Sequence, residues 1–132
     1  MRLPSSSPAA LRQEYLERLR RGRAAAPALR VAFPSVQQLR LELNFASTTT
    51  NTPASQSHVL HPPARAFFEF PCPHVDCDGR FDLTSAVDLL LANRLTKANG
   101  TVKCQGHRPD RRAPRMPCQL HLSYEFTVMY AI

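Results

Sequence analysis

Four cysteines constrain this chain more than any other feature. They fall in two groups: four residues separate Cys72 from Cys77, and thirteen separate Cys104 from Cys118. Thiolates bind zinc tightly, and four of them close a tetrahedral shell that leaves no open position. We therefore predict a structural Zn²⁺ site formed by these four cysteines, and a fold that brings both groups to one point.

The residues around the first pair favour a zinc knuckle, a tight turn that directs two ligands toward one metal. Pro71 and Pro73 stiffen the chain on both sides of Cys72. Gly79 follows Cys77 closely and lets the chain turn away without a steric penalty. The first half of the site is thus predicted to be local in sequence.

The second pair is spread more widely, so Cys104 and Cys118 are expected on neighbouring strands in antiparallel register. Alternation in the last strand places Cys118 on the apolar face and His121 on the other, which favours the cysteine as the ligand. His107 is a more serious substitute, because shells of three thiolates and one imidazole are common. The alternative ligand set is Cys72, Cys77, Cys104 and His107.

Residues 70–124 resemble a zinc ribbon: a Cys-Pro-x-x-x-Cys-x-Gly-x-Phe knuckle is followed by a second cysteine pair on later strands. A helix between the halves and the wide spacing of the second pair depart from that pattern. Zinc ribbons commonly contact nucleic acids or other proteins. The resemblance therefore implies a binding module.

Apolar periodicity predicts two helices. The first is a short amphipathic helix over 9–21, with Ser7 as its N-cap and Gly22 as its end. Its apolar face is expected to dock on the domain or on another subunit. The second helix is predicted from Thr84 or Ser85 to Thr96, with a buried stripe of Val87, Leu90, Leu91 and Leu95.

Alternating apolar and polar residues predict the strands, and the clearest is the last, over 120–130. Residues 47–57 are interpreted as a polar loop, Asn99-Gly100 as a turn, and 106–117 as a basic loop. The other predicted strands cover 39–45, 65–70, 80–83 and 101–105.

Together these elements predict an α+β fold: an antiparallel sheet with one packed helix, an N-terminal amphipathic helix and a zinc-ribbon-like metal site. The predicted organisation is a basic helix and linker over 1–34 and a single zinc-binding domain over 35–132. So small a core gains from a metal cross-link, so zinc is expected to contribute to the folding free energy.

The charge distribution supplies an alternative function. The net charge is +7, and two basic segments, 1–30 and 94–115, flank a mildly acidic middle. This pattern is consistent with a nucleic-acid-binding protein that makes phosphate contacts through its 108–115 loop and N-terminal arginines. The arginines concerned are Arg108, Arg111, Arg112 and Arg115 in the loop, and Arg18, Arg20, Arg21 and Arg23 in the helix.

Motifs for enzymatic activity are absent from the sequence. There is no phosphate-binding glycine loop, nucleophile elbow, deaminase signature or Cys-x-x-Cys redox pair. No apolar run has the length of a membrane span, and the start lacks the apolar core of a secretory signal. We expect a cytoplasmic, non-enzymatic protein that binds a protein partner or itself, with no membrane association and no small-molecule substrate.

Overall fold

The computed structural model describes residues 7–47, 54–109 and 112–131 and has the predicted α+β architecture. Its helices are α1 (Pro8–Ala25), the single turn α2 (Leu29–Ala32) and α3 (Thr84–Ala92). Its strands are β1 (Val36–Ser47), β2 (Ala54–Leu60), β3 (Glu69–Pro71), β4 (Arg80–Asp82), β5 (Lys97–Lys103), β6 (His107–Arg108), β7 (Met116–Pro117) and β8 (Leu120–Tyr130).

A four-stranded antiparallel sheet forms the centre of the fold, with strand order β2-β1-β8-β5. The long strands β1 and β8 pair along most of their length, from Val36 opposite Tyr130 to Ser47 opposite Leu120. Two small hairpins, β3-β4 and β6-β7, lie outside this sheet. The antiparallel sheet predicted from the alternating pattern is therefore confirmed.

One face of the sheet carries the core. Alternate residues of β8 are buried, as its sequence predicts, and apolar side chains of β1 oppose them in register. Phe81 of β4 packs against Phe45 of β1 with ring centroids 5.6 Å apart. The fully buried residues of the two central strands include Leu39, Leu41, Leu43, Phe45, Leu122 and Phe126.

Helix α1 begins where the sequence predicts and ends later. The Ser7 side chain accepts a hydrogen bond from the Ala10 amide at 3.2 Å, which confirms the N-cap. Gly22 lies inside the helix rather than at its end, and a Cβ there would meet the edge of the Phe67 ring. The apolar face, with Tyr15 and Leu19 buried, docks on the domain of its own chain.

Helix α3 closes the core with Val87, Leu90 and Leu91, all buried. It is shorter than predicted, and Leu95 lies beyond its end and is 49% exposed. Arg94 adopts a positive φ of 51°, a left-handed conformation that ends the helical path. The residues that follow then enter β5.

Two segments predicted to be irregular lie in strands where the structure describes them. Of the predicted loop 47–57, Ser47 ends β1 and residues 54–57 belong to β2, whereas residues 48–53 lie outside the described part of the chain. Residues 54–60 form β2. The sequence did not predict this strand because two positions on its core face are the polar Gln56 and His58, which interrupt the alternation of apolar and polar residues. Asn99-Gly100 lies within β5 rather than at a turn. The ring of Tyr124 on β8 covers Gly100 so closely that a Cβ would lie 2.6 Å from the ring carbon Cζ. An aromatic side chain that covers a strand glycine compensates for the missing packing.

Within the part of the chain that is described, no helix combines the length and the apolar character needed to cross a membrane.

Candidate metal centre

The structure brings the four cysteines together at the ends of the two hairpins. All four are buried, and their Sγ atoms lie within 4.8 Å of one another. The Sγ atoms of Cys72 and Cys118 are 4.0 Å apart, and those of Cys77 and Cys104 are 3.7 Å apart. These separations are far longer than a disulfide bond of about 2.05 Å and match a cluster that could hold one metal ion.

The first half of the site is the turn between β3 and β4. The Cys72 amide donates to the Gly79 carbonyl at 3.1 Å, which closes the turn. The Gly79 amide donates to the Cys77 sulfur at 3.3 Å. On either side of this turn, Pro71 of β3 pairs with Arg80 of β4. The predicted tight turn is thus present, with a backbone donor directed at one of its sulfurs.

The second half repeats this arrangement around Gly106. The Cys118 amide donates to the Gly106 carbonyl at 2.9 Å, and the Gly106 amide donates to the Cys104 sulfur at 3.4 Å. Pro117 then pairs with His107, as Pro71 pairs with Arg80 in the first half. Each half therefore presents a Pro-Cys and a Cys-x-Gly segment in the same hydrogen-bonded geometry.

The two halves differ in where the chain connects them, and this difference explains the unequal spacing. In the first half the turn itself joins Cys72 to Cys77. In the second half, Cys104 precedes β6 and Cys118 follows β7, so both cysteines lie at the open end of this hairpin. The loop that joins the two strands is at the opposite end. The thirteen intervening residues are the length of that hairpin and its loop.

The two glycines lie back to back between the halves. A Cβ on Gly106 would lie 2.8 Å from the Cys77 sulfur and closer still to the Gly79 backbone. A Cβ on Gly79 would collide with the Cys104 sulfur and lie 3.0 Å from the Gly106 backbone. Neither glycine has a positive φ. Glycine is required here by the close approach of the two turns.

Helix α1 is attached to the site through Arg12. Its guanidinium Nη1 donates to the Cys72 carbonyl at 2.6 Å and to the Cys77 carbonyl at 3.2 Å. One turn further along, the Arg80 guanidinium lies 5.7 Å above the Tyr15 ring. The position of the N-terminal helix therefore depends on the shape of the first knuckle.

Acidic side chains of the first knuckle bind the second half. Asp78 accepts a hydrogen bond from the His107 amide at 2.7 Å, and its other oxygen lies 3.5 Å from Arg115. Asp76 accepts from Arg108 Nε at 2.7 Å, and this hydrogen bond raises the pKa of Arg108. These contacts join the two hairpins across the site.

His107 is not part of the sulfur cluster. Its imidazole Nδ1 faces the Arg115 guanidinium at 3.1 Å and the Asp78 carboxylate at 4.0 Å, and its side chain is partly exposed. The described residues that come within metal-binding distance of one another are the four cysteines. The geometry therefore favours Cys118 over His107 as the fourth ligand.

Hydrogen bonding among the sulfurs separates their pKa values. Contact with the Cys104 sulfur raises the pKa of Cys72 and of Cys77 above the ordinary value and lowers that of Cys118. A thiol with a lowered pKa is readily present as a thiolate, which is the form that binds metals. Binding of a metal by all four sulfurs would therefore release the protons held by the thiols of raised pKa, Cys72 and Cys77.

Two buried polar atoms near the site, the Tyr15 hydroxyl and His74 Nε2, lack a hydrogen-bond partner among the described residues. Burial raises the pKa of Tyr15, and the nearby Glu69 adds to this effect. Arg12, rather than Tyr15, therefore supplies the polar attachment of α1.

Most of the loop arginines predicted to contact nucleic acid interact with other groups of the protein. Arg108 pairs with Asp76, and Arg115 pairs with Asp78. Arg112 is exposed and takes part in an interaction of its own. Arg111 lies outside the described residues.

Sequence reasoning missed Arg12, Gly106 and the bridging roles of Asp76 and Asp78. The signal for Gly106 was the repeat of Cys-x-Gly at Cys77 and at Cys104, together with a proline before each of the other two cysteines. Arg12 has no such signal, because it acts over a sequence separation of 60 residues.

Comparison with known proteins gave no match to a family model, a curated protein or a solved structure.

Proposed function

We propose that the protein binds one Zn²⁺ through Cys72, Cys77, Cys104 and Cys118. The observation that supports this most is the geometry of the sulfurs. Zn–S bonds of about 2.3 Å in a regular tetrahedron give S–S edges of about 3.8 Å. The Cys77–Cys104 and Cys72–Cys118 sulfur pairs, at 3.7 and 4.0 Å, lie on either side of that value, and all four sulfurs lie within 4.8 Å of one another.

The zinc in this proposal is structural. Four buried thiolates complete a tetrahedral shell, and a catalytic zinc needs a position for water or substrate. The backbone donors at Gly79 and Gly106 stabilise thiolate charge, as the partners of metal ligands do in other sites. Two knuckles of matching geometry, each on a hairpin, support the resemblance to a zinc ribbon.

The proposal places the protein in a reducing compartment such as the cytoplasm. Its cysteines are free and adjacent, and they would be prone to pair with one another under oxidising conditions. A bound Zn²⁺ protects such thiolates because each sulfur is already coordinated.

We further propose that the protein acts as an interaction module for a protein partner or a second copy of the chain. The apolar face of α1, which the sequence suggested for this role, is buried against its own domain. The edge strand β2 remains. Between Ala54 and Leu60 it has no charged residue and no proline, whereas the opposite edge, β5, begins with Lys97 and ends with Lys103. Charges on an edge strand discourage pairing with another chain.

Strand addition at β2 can be tested with a charge placed on its exposed face. Ser57 lies opposite Glu42 in the sheet, so Ser57→Lys adds a lysine beside a carboxylate and preserves the fold. We expect this change to lower self-association in sedimentation equilibrium, and we expect Thr101→Lys on β5 to leave it unchanged. A wild-type chain that stays monomeric at millimolar concentration would contradict the self-association form of the proposal.

Nucleic-acid binding remains the alternative, with less support. Two of its four loop arginines form ion pairs with the acidic residues of the first knuckle. A steep decrease of affinity for a DNA or RNA oligonucleotide with rising salt concentration would favour this alternative.

A further inference from the structure

A second cavity lies away from the sulfur cluster, beside the inner face of β2. Its volume is about 310 Å³, at the lower limit of small-molecule sites. It is bordered by the C-terminal part of α1, by β1 and β2, and by the segment that leads into β3. The apolar residues that line it are Leu41, Leu60, Phe67 and Phe70.

The polar residues that line this cavity are all basic: Arg23, His58 and Arg65, with no aspartate or glutamate among the described lining residues. Such a combination differs from the larger cleft beside the metal centre, where Glu14 and Asp78 accompany the arginines. An apolar surface with basic groups at its margin is complementary to an apolar molecule that carries one negative charge.

Neighbouring groups hold the three basic side chains in position. Arg65 Nη1 donates to the Ala26 carbonyl at 2.8 Å, and the Arg23 guanidinium lies 5.3 Å from the centre of the Phe67 ring. The His58 ring packs against Phe70 with centroids 5.0 Å apart. Its Nε2 lies 3.0 Å from the Gln56 side-chain oxygen. Positions fixed in this way lower the entropic cost of binding a ligand.

The electrostatics agree with this geometry. Burial lowers the pKa of His58, and the positive charge of Arg23 lowers it further. Glu42 opposes these effects, but it is on the other face of the sheet and contributes less. The lowered pKa keeps the His58 imidazole neutral near pH 7, so the guanidinium groups of Arg23 and Arg65 supply the positive charge of the cavity.

We propose that this cavity binds a small amphipathic monocarboxylate. Its apolar body contacts Leu60, Phe67 and Phe70, and its carboxylate faces the guanidinium groups of Arg23 and Arg65. This site is separate from the metal centre and goes beyond the function proposed above.

Three probes with the same six-carbon chain test the proposal: hexanoate, hexan-1-ol and hexylamine. Binding to the zinc-loaded full chain is followed by NMR through the methyl groups of Leu41 and Leu60. We expect hexanoate to give saturable shifts with a Kd on the order of 1 mM, given its few heavy atoms. Hexan-1-ol should bind at least about fivefold more weakly, and hexylamine should not bind, because charge complementarity is lost or reversed.

A matched pair of exposed α1 variants tests the role of the basic groups. Arg23→Gln should weaken hexanoate binding about fivefold, since it removes one charged donor from the margin of the cavity. Arg20→Gln should not change the affinity, because Arg20 pairs with Glu17 and does not line the cavity. The proposal is overturned if hexanoate gives no saturable shifts, if hexan-1-ol binds equally well, or if the two variants behave alike.

Discussion

Replacing Gly106 with alanine gives the sharpest test of how the two halves of the metal site fit together. The added Cβ would lie 2.8 Å from the Cys77 sulfur and would overlap the backbone of Gly79. Carbon atoms in contact are normally about 3.5–4.0 Å apart, so the two turns must separate by roughly 1 Å. Neither obstacle is the flexible end of a side chain.

Such a separation acts directly on the proposed metal ligands. Gly106 is two residues from Cys104, and its amide donates to the sulfur of that residue. A shift of roughly 1 Å would exceed the tolerance of about 0.2 Å in metal–ligand distances. Overpacking of a tight core costs about 1–3 kcal/mol, and the lost coordination adds to this cost. We expect a loss of about 3 kcal/mol in zinc binding, which is roughly a 100-fold lower affinity.

Gly22→Ala is the matched control. Its Cβ would meet only the edge of the Phe67 ring, at 3.3 Å from Cε1, and the ring can move by a few tenths of an ångström. Gly22 is in the interior of α1, where alanine is favoured over glycine by about 0.5–1 kcal/mol. We expect this variant to equal or slightly exceed the wild-type stability.

Both variants are compared by zinc competition with a chromophoric chelator and by guanidinium unfolding at saturating zinc. The reasoning would be refuted if Gly106→Ala bound zinc as tightly as the wild type and unfolded at the same denaturant concentration. It would also be refuted if Gly22→Ala reduced the zinc affinity as much as Gly106→Ala does.

Three further predictions follow from contacts around the site and the sheet. Arg12→Met removes a charged donor from the Cys72 and Cys77 carbonyls. We expect the free energy of unfolding to fall by about 1.5–3 kcal/mol and trypsin to cleave faster within α1. Unchanged proteolysis would show that Arg12 does not hold the helix. Tyr124→Ala uncovers Gly100 and removes a ring that stacks on Phe126, with ring centroids 4.6 Å apart. The free energy of unfolding, measured by urea denaturation, should fall by about 3 kcal/mol. A loss below about 1 kcal/mol would contradict the role of the ring in covering Gly100. A strong chelator should expose all four thiols to a colorimetric thiol reagent and lower the Tm, and reactive thiols before chelation would contradict a closed shell.

Much of the fold was predictable because its longest elements follow simple periods. The alternation in 120–130 and the capped start of α1 identified β8 and the N-terminal helix, and the cysteine pattern predicted a cluster that the structure forms. The prediction of secondary structure was wrong where the local sequence preference differs from the structure that the tertiary environment imposes. Gln56 and His58 face inward on β2, and the Tyr124 ring makes Asn99-Gly100 acceptable inside a strand.

The clustering of the four cysteines was predictable from the sequence, but the contacts that support the candidate site were not. The spacing of Cys104 and Cys118 looked irregular because these two cysteines lie at the open end of the hairpin β6-β7, with the whole hairpin between them in sequence. The sequence alone does not show this connectivity. The contact from Arg12 to the first knuckle joins residues 60 positions apart. Only the tertiary arrangement of α1 brings that pair together.

X-ray absorption at the zinc edge, on purified protein with its metal content measured, tests the central claim most directly. The account predicts about one zinc per chain with four sulfur neighbours at about 2.3 Å. A shell of three sulfurs and one nitrogen at about 2.0 Å would contradict it and favour His107 in place of Cys118. Protein without zinc would contradict the metal centre itself.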